Sequence, residues 1–81
     1  MSGTPLTITL ALPQRAQSHL VVYDVTGRVV RTLVNGVLEA GIHPIPWNGR
    51  SDAGTSVATG VYFAKLESGG LTSARRIVRI K

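Results

Sequence analysis

Eighty-one residues make one small domain at most, and folding at this size buries only about 60–65% of the surface that the unfolded chain exposes, which leaves no room for a deep catalytic cavity. The chain is 43% hydrophobic but only 5% aromatic, so its core must be mainly Val, Ile and Leu, and the β-branched share of these favours strands. There is no cysteine, which excludes disulfide staples and thiolate metal sites, while nine Lys+Arg against four Asp+Glu give +5, a balance suited to nucleic acid or an anionic surface.

No apolar run approaches the length of a membrane span, and Met1 does not open a signal peptide. Met1–Thr4 reads as a linker remnant and residues 5–81 as one domain, expected to be the C-terminal module of a larger protein with any export signal upstream. Leu6, Ile8, Leu10 and Leu12 alternate with Thr7, Thr9 and Ala11 between Pro5 and Pro13, the pattern of a half-buried strand. His19 to Val25 is apolar on both faces, which predicts a central strand. Asp24-Val25-Thr26-Gly27 predicts a turn with Gly27 free to take a positive φ, and Arg28 to Val34 is the return arm of that hairpin.

Asn35-Gly36 predicts a further turn, and Glu39-Ala40-Gly41 a weaker one. Arg28 to Leu38 is the one stretch that looks helical, but Val29-Val30 and Asn35-Gly36 argue against a helix. Ile42 to Trp47 is extended and carries Pro44 and Pro46, which cannot donate to a ladder and so place it at an edge. A loop from Asn48 to Thr59 follows. Gly60 to Glu67 is a strand, Ser68-Gly69-Gly70 a hairpin turn, and Leu71 to Lys81 the last strand. Six or seven short strands with turn residues between them predict an all-β sandwich or barrel.

With the strands placed, several motifs stand in order. Val22-Tyr23-Asp24-Val25-Thr26-Gly27-Arg28-Val29-Val30-Arg31-Thr32-Leu33 comes first, then Ala40-Gly41-Ile42-His43 and Trp47-Asn48-Gly49-Arg50. Asp52-Ala53-Gly54 and Val57-Ala58-Thr59-Gly60-Val61-Tyr62-Phe63 follow, and Arg75-Arg76-Ile77-Val78-Arg79-Ile80-Lys81 closes the chain. From Leu6 to Lys81 the sequence resembles the immunoglobulin-like domain of the bacterial flagellar hook-capping protein, together with the related C-terminal sorting domains of the type IX secretion system. The resemblance implies a small immunoglobulin-like (fibronectin type III-like) antiparallel β-sandwich. It also implies a non-catalytic module of a larger exported bacterial protein, extracellular or at the cell surface, serving sorting, surface attachment or domain–domain contact. A scaffold domain of the flagellar hook cap is the alternative, and an anionic-polymer or carbohydrate binding module a second one. The expected partners are proteins: parent-chain domains, secretion machinery or hook subunits. Anionic surface glycans are a further candidate, with nucleic acid and membrane insertion disfavoured.

No residue pattern points to chemistry. His19 and His43 lack a third ligand or catalytic partner at a workable spacing. Asn48, Ser51 and Asp52 form the one oxygen-rich loop, but it holds a single acid where calcium wants several, so Asn48 and Asp52 read as turn-formers bonding their own backbone. No nucleophile elbow or phosphate loop occurs, so no catalytic, metal or cofactor residues are expected. Tyr23, Gly27, Trp47, Gly49, Gly54, Gly60 and Tyr62 are the expected structural positions. Trp47 and Tyr62 read as core or as a carbohydrate-stacking pair, and Tyr62 sits where a tyrosine-corner hydroxyl bonds backward to a loop. Lys65, Arg75, Arg79 and Lys81 form the expected partner surface: Arg75, Arg79 and Lys81 share one face of the last strand, as a polyanion stripe or as charges that block edge pairing.

Overall fold

The computed structural model describes residues 6–79, in which six antiparallel strands form two sheets and no helix occurs. The strands are β1 (Leu6–Leu12), β2 (Ala16–Asp24), β3 (Val29–Leu38), β4 (Gly41–Trp47), β5 (Gly60–Ser68) and β6 (Leu71–Arg79). β1 and β4 make a two-stranded sheet, and the second sheet has the order β3-β2-β5-β6. β2 is thus an interior strand, as its two apolar faces require. Residues 1–5, Ile80 and Lys81 lie outside the described residues, and with them the expected linker remnant and the end of the expected last strand.

Alternation dictates which side chains meet between the sheets. β1 sends Ile8, Leu10 and Leu12 inward, β2 sends Leu20 and Val22, and β5 sends Tyr62 and Ala64. With Trp47 and Ile77 these residues form the buried core, and Val30, Leu33, Val34, Leu38, Ile45, Val57 and Leu66 pack around it. Ser18, Ser68 and Arg79 are the buried polar exceptions among the described residues, and the two serines satisfy each other: their hydroxyls lie 2.9 Å apart, and Ser18 also reaches the Ala16 carbonyl at 3.1 Å.

Turn chemistry fixes the registers of both hairpins. The Gly27 amide donates to the Asp24 carbonyl and the Asp24 amide to the Arg28 carbonyl, both at 3.0 Å, closing a three-residue loop in which Gly27 takes φ 87°. Gly69 and Gly70 link Ser68 to Leu71 with φ 53° and 86°, the two positive values that a two-residue type I′ hairpin demands.

The Asn35-Gly36 turn expected from sequence does not exist. β3 runs straight through it, with Asn35 opposite His19 and Gly36 opposite Ser18. Part of the physical reason lies two and five residues earlier. The register against β2 slips between Leu20 and Val21 and again between Val22 and Tyr23, leaving Leu33 and Val30 as extra, unpaired residues. Such bulges shift the phase of the strand, so that Val30, Leu33 and Val34 all pack on the core. Their three- and four-residue spacing is what gives this strand its helical look.

Candidate functional site

The Trp47–Leu66 stretch closes one end of the sandwich. Trp47 is 1% exposed, and its ring meets that of Tyr62 edge to face at 5.7 Å between centroids. Each ring also anchors the intervening loop. Trp47 Nε1 donates to the Arg50 carbonyl at 2.9 Å, and the Tyr62 hydroxyl donates to the Ala58 carbonyl at 2.6 Å. The rings therefore present no face on which a sugar can stack, which removes the carbohydrate reading.

Main-chain and side-chain bonds fold the loop on itself. Val57 N–H donates to the Gly49 carbonyl, Ser51 N–H to Thr55, and Gly54 N–H to Ser51, with Gly54 at φ 83°. Asn48 Oδ1 accepts from the Arg50 amide at 3.1 Å, a local turn bond. Asp52 behaves differently from the turn-former expected of it. Its Oδ1 accepts from the Thr32 amide at 3.0 Å and lies 3.9 Å from Arg31 Nε, while its own amide donates to the Val30 carbonyl at 2.9 Å. Asp52 thus pins the loop to the outer edge of β3.

The basic residues do not form one exposed stripe. Arg75 and Arg79 share the inward face of β6 with Ile77, and Arg79 is only 7% exposed. Its guanidinium lies under Gly49, which has φ 76° and leaves no space for a Cβ, and its Nε donates to no described residue. Arg79 is therefore a packing element of the closed end, while Arg75 stays at the solvent boundary. Lys65 points to the opposite face, paired across the sheet with Val21 and Ala74, so it does not join Arg75. Alternation counted along one strand could not show which face the two-stranded sheet covers.

That opposite face carries a feature to which no motif pointed. Tyr23 pairs with Val29 and Phe63, Phe63 pairs with Arg76, and Val61 with Val78. Val29, Phe63 and Val78 are exposed there. The available signal was the second apolar face of β2 and β5.

Neither histidine is placed for chemistry. His19 Nε2 donates to Asn35 Oδ1 and His43 Nε2 to the Glu39 carbonyl, both at 2.6 Å. His43 thus braces the β3–β4 turn and stands opposite Leu10 in the β1–β4 pair. Among the described residues no three metal-binding side chains cluster. The carboxyl of Asp24 is perturbed. The Thr26 hydroxyl, backed by the Arg28 and Thr26 amides and the Arg28 guanidinium, holds its carboxyl at about 2 against an ordinary 3.8. It is a turn clamp.

A closed end built from Trp47, Gly49 and Tyr62 over an Ig-like sheet order agrees with what sequence comparison finds. Residues 1–70 match the FlgD Ig-like domain family. The chain belongs to that family. The basal-body rod modification protein FlgD of Salmonella typhimurium and that of Salmonella typhi are each 41% identical to it over 61 residues. That alignment covers 75% of this chain but 26% of either relative, so the FlgD Ig-like segment accounts for about a quarter of each. The expected location is corrected by this finding. The sequence pointed to the bacterial exterior or cell surface, whereas the FlgD relatives are named for the basal-body rod. No type IX sorting protein stands among these matches, and the matched family is an Ig-like domain rather than a catalytic one.

Proposed function

We propose that this domain is a non-catalytic scaffold module of a flagellar hook-capping protein, working through contacts with other flagellar proteins such as hook subunits. The observation that carries the reading is the 41% identity to two FlgD proteins over 61 residues. The structure is in keeping with it. Its buried aromatics, Asp24 and both histidines serve turns and packing, which leaves the surface as the working part. The sorting reading rested on the ordered family motifs rather than on any one side chain, while the partner surface expected on the last strand is narrowed by the burial of Arg79. The same burial removes one charge from a polyanion stripe.

An antibody raised against the domain tests the proposal on fractionated native cells. The expected result is a band larger than the 8.6 kDa of this chain in purified hook–basal-body preparations, and loss of hooks when residues 6–79 are deleted from the parent gene. A band confined to the outer membrane or culture medium of cells without flagella, or normal hooks after the deletion, would overturn it.

A further inference from the structure

The two open sides of the sandwich are treated differently. On the side where β3 and β4 are the edges, both are blocked. Pro44 and Pro46 strip donors from β4, and Asp52 occupies the Val30 carbonyl and the Thr32 amide of β3. On the other side β1 and β6 each pair with one neighbour only. Neither contains a proline or a bulge, and no described residue bonds their outer edges.

Between these bare edges runs a groove. Leu71, Ser73 and Arg75 alternate along the inward face of β6, opposite Ser68, Leu66 and Ala64, yet all three are exposed, Leu71 at 54%. The two-stranded sheet stops short of them. The resulting space, about 290 Å³, is floored by Leu20, Ala64 and Leu66 and walled by Ile8 to Leu12. A second space of about 250 Å³ lies between Leu6–Ile8 and Arg75–Val78 and shares Ile8 and Arg75 with the first. Arg75 lines both and takes no part in the ion pairs of the described residues, which involve Arg15, Arg28 and Arg31.

We propose that this groove receives an extended acidic strand from a different protein chain. The strand pairs with the free edge of β6, lengthening the four-stranded sheet in the manner of β-strand addition. Its alternate apolar side chains cover Leu71 and Leu66, and a carboxylate meets Arg75. A strand is the fitting occupant because the walls offer unpaired backbone donors and acceptors in a row. A second copy does not fit: β1, β3, β4 and β6 contain no Asp or Glu, and a copy adds another +5. This inference rests on the fold and holds independently of any flagellar role.

The probe is an end-blocked, fluorescein-labelled peptide, Val-Thr-Val-Thr-Glu-Thr-Val-Thr-Val, which puts four Val and the Glu on one face. It is titrated with the 81-residue chain by anisotropy, with amide hydrogen exchange mapped on the complex. Saturable binding is expected, with new protection confined to residues 71–79. Replacing the Glu by Lys should weaken binding about tenfold, the scale of a partly exposed charge pair lost and a repulsion gained. Arg75→Glu should reverse that preference; Arg75 is exposed, and the Lys peptide tests the charge on the unaltered chain as well. Absence of binding, equal affinity for both peptides, or protection on β3 instead of β6 overturns the proposal. So does concentration-dependent dimerisation that buries the groove, because the occupant is then a second copy.

Discussion

Trp47→Ala is the sharpest test of how this domain is held together. The ring is 1% exposed, so truncation forfeits its whole transfer free energy and leaves a cavity that strands from two sheets cannot easily close. Buried Trp→Ala changes cost about 3–5 kcal/mol. Two further losses fall within that range: the edge-to-face contact with Tyr62, worth about 0.5–1.5 kcal/mol, and the bond to the Arg50 carbonyl, worth about 1 kcal/mol. Total stability for 81 residues is on the order of 4–12 kcal/mol. The variant should therefore be marginal, with Tm lowered on the order of 20 °C. Because Trp47 is the sole tryptophan, unfolding in urea should be followed by circular dichroism rather than fluorescence. The midpoint should fall at constant m. A loss under about 2 kcal/mol would refute the reasoning, because it would mean that the ring is not integral to the core.

Three more predictions follow from neighbouring observations. Gly49→Ala should cost about 1–2 kcal/mol for its positive φ alone. It also drives a methyl into Arg79, so combination with Arg79→Ala in a double-mutant cycle should show coupling of about 1 kcal/mol or more. Tyr62→Phe keeps the ring and removes the bond to Ala58, so denaturant unfolding should show a loss of about 1 kcal/mol, and a neutral result would mean that the hydroxyl does not anchor the loop. Asp24 has its folded pKa depressed to about 2 from 3.8, so its contribution is complete above 3.8 and disappears as pH falls through 2. The stability gap between the native chain and Asp24→Asn, measured across an acid titration, should narrow in that window; a gap unchanged at acid pH would contradict the clamp.

Much of the fold was legible because its signals are local. Period-2 alternation from Leu6 to Leu12, the Gly69-Gly70 turn and the proline pair in β4 each act within a few residues. Asn35-Gly36 misled for the opposite reason. Its turn preference is local, but β3 continues because Val34 and Leu38 gain burial on both sides of it, and Gly36 fits an extended strand without taking a positive φ. The basic residues were misjudged for a similar reason. Parity along β6 groups Arg75 with Arg79, but only the distant loop carrying Gly49 decides that one is buried and the other is not. Asp52 could not be read as a strap, since its partner Thr32 stands twenty positions away.

Leu6 sits opposite Trp47, and Arg79 lies against Gly49, so the outer ends of the first and last described strands emerge at the same end of a body 37 Å long. Neighbouring ends suit a domain carried as a side branch rather than as a link in series. Tension applied between the two ends of the described fold would fall on the Trp47–Arg79 end and spare the far connections at Leu12–Ala16 and Ser68–Leu71. The body would swing about that end as a pendant arm, with the long groove between β1 and β6 offered sideways to whatever passes.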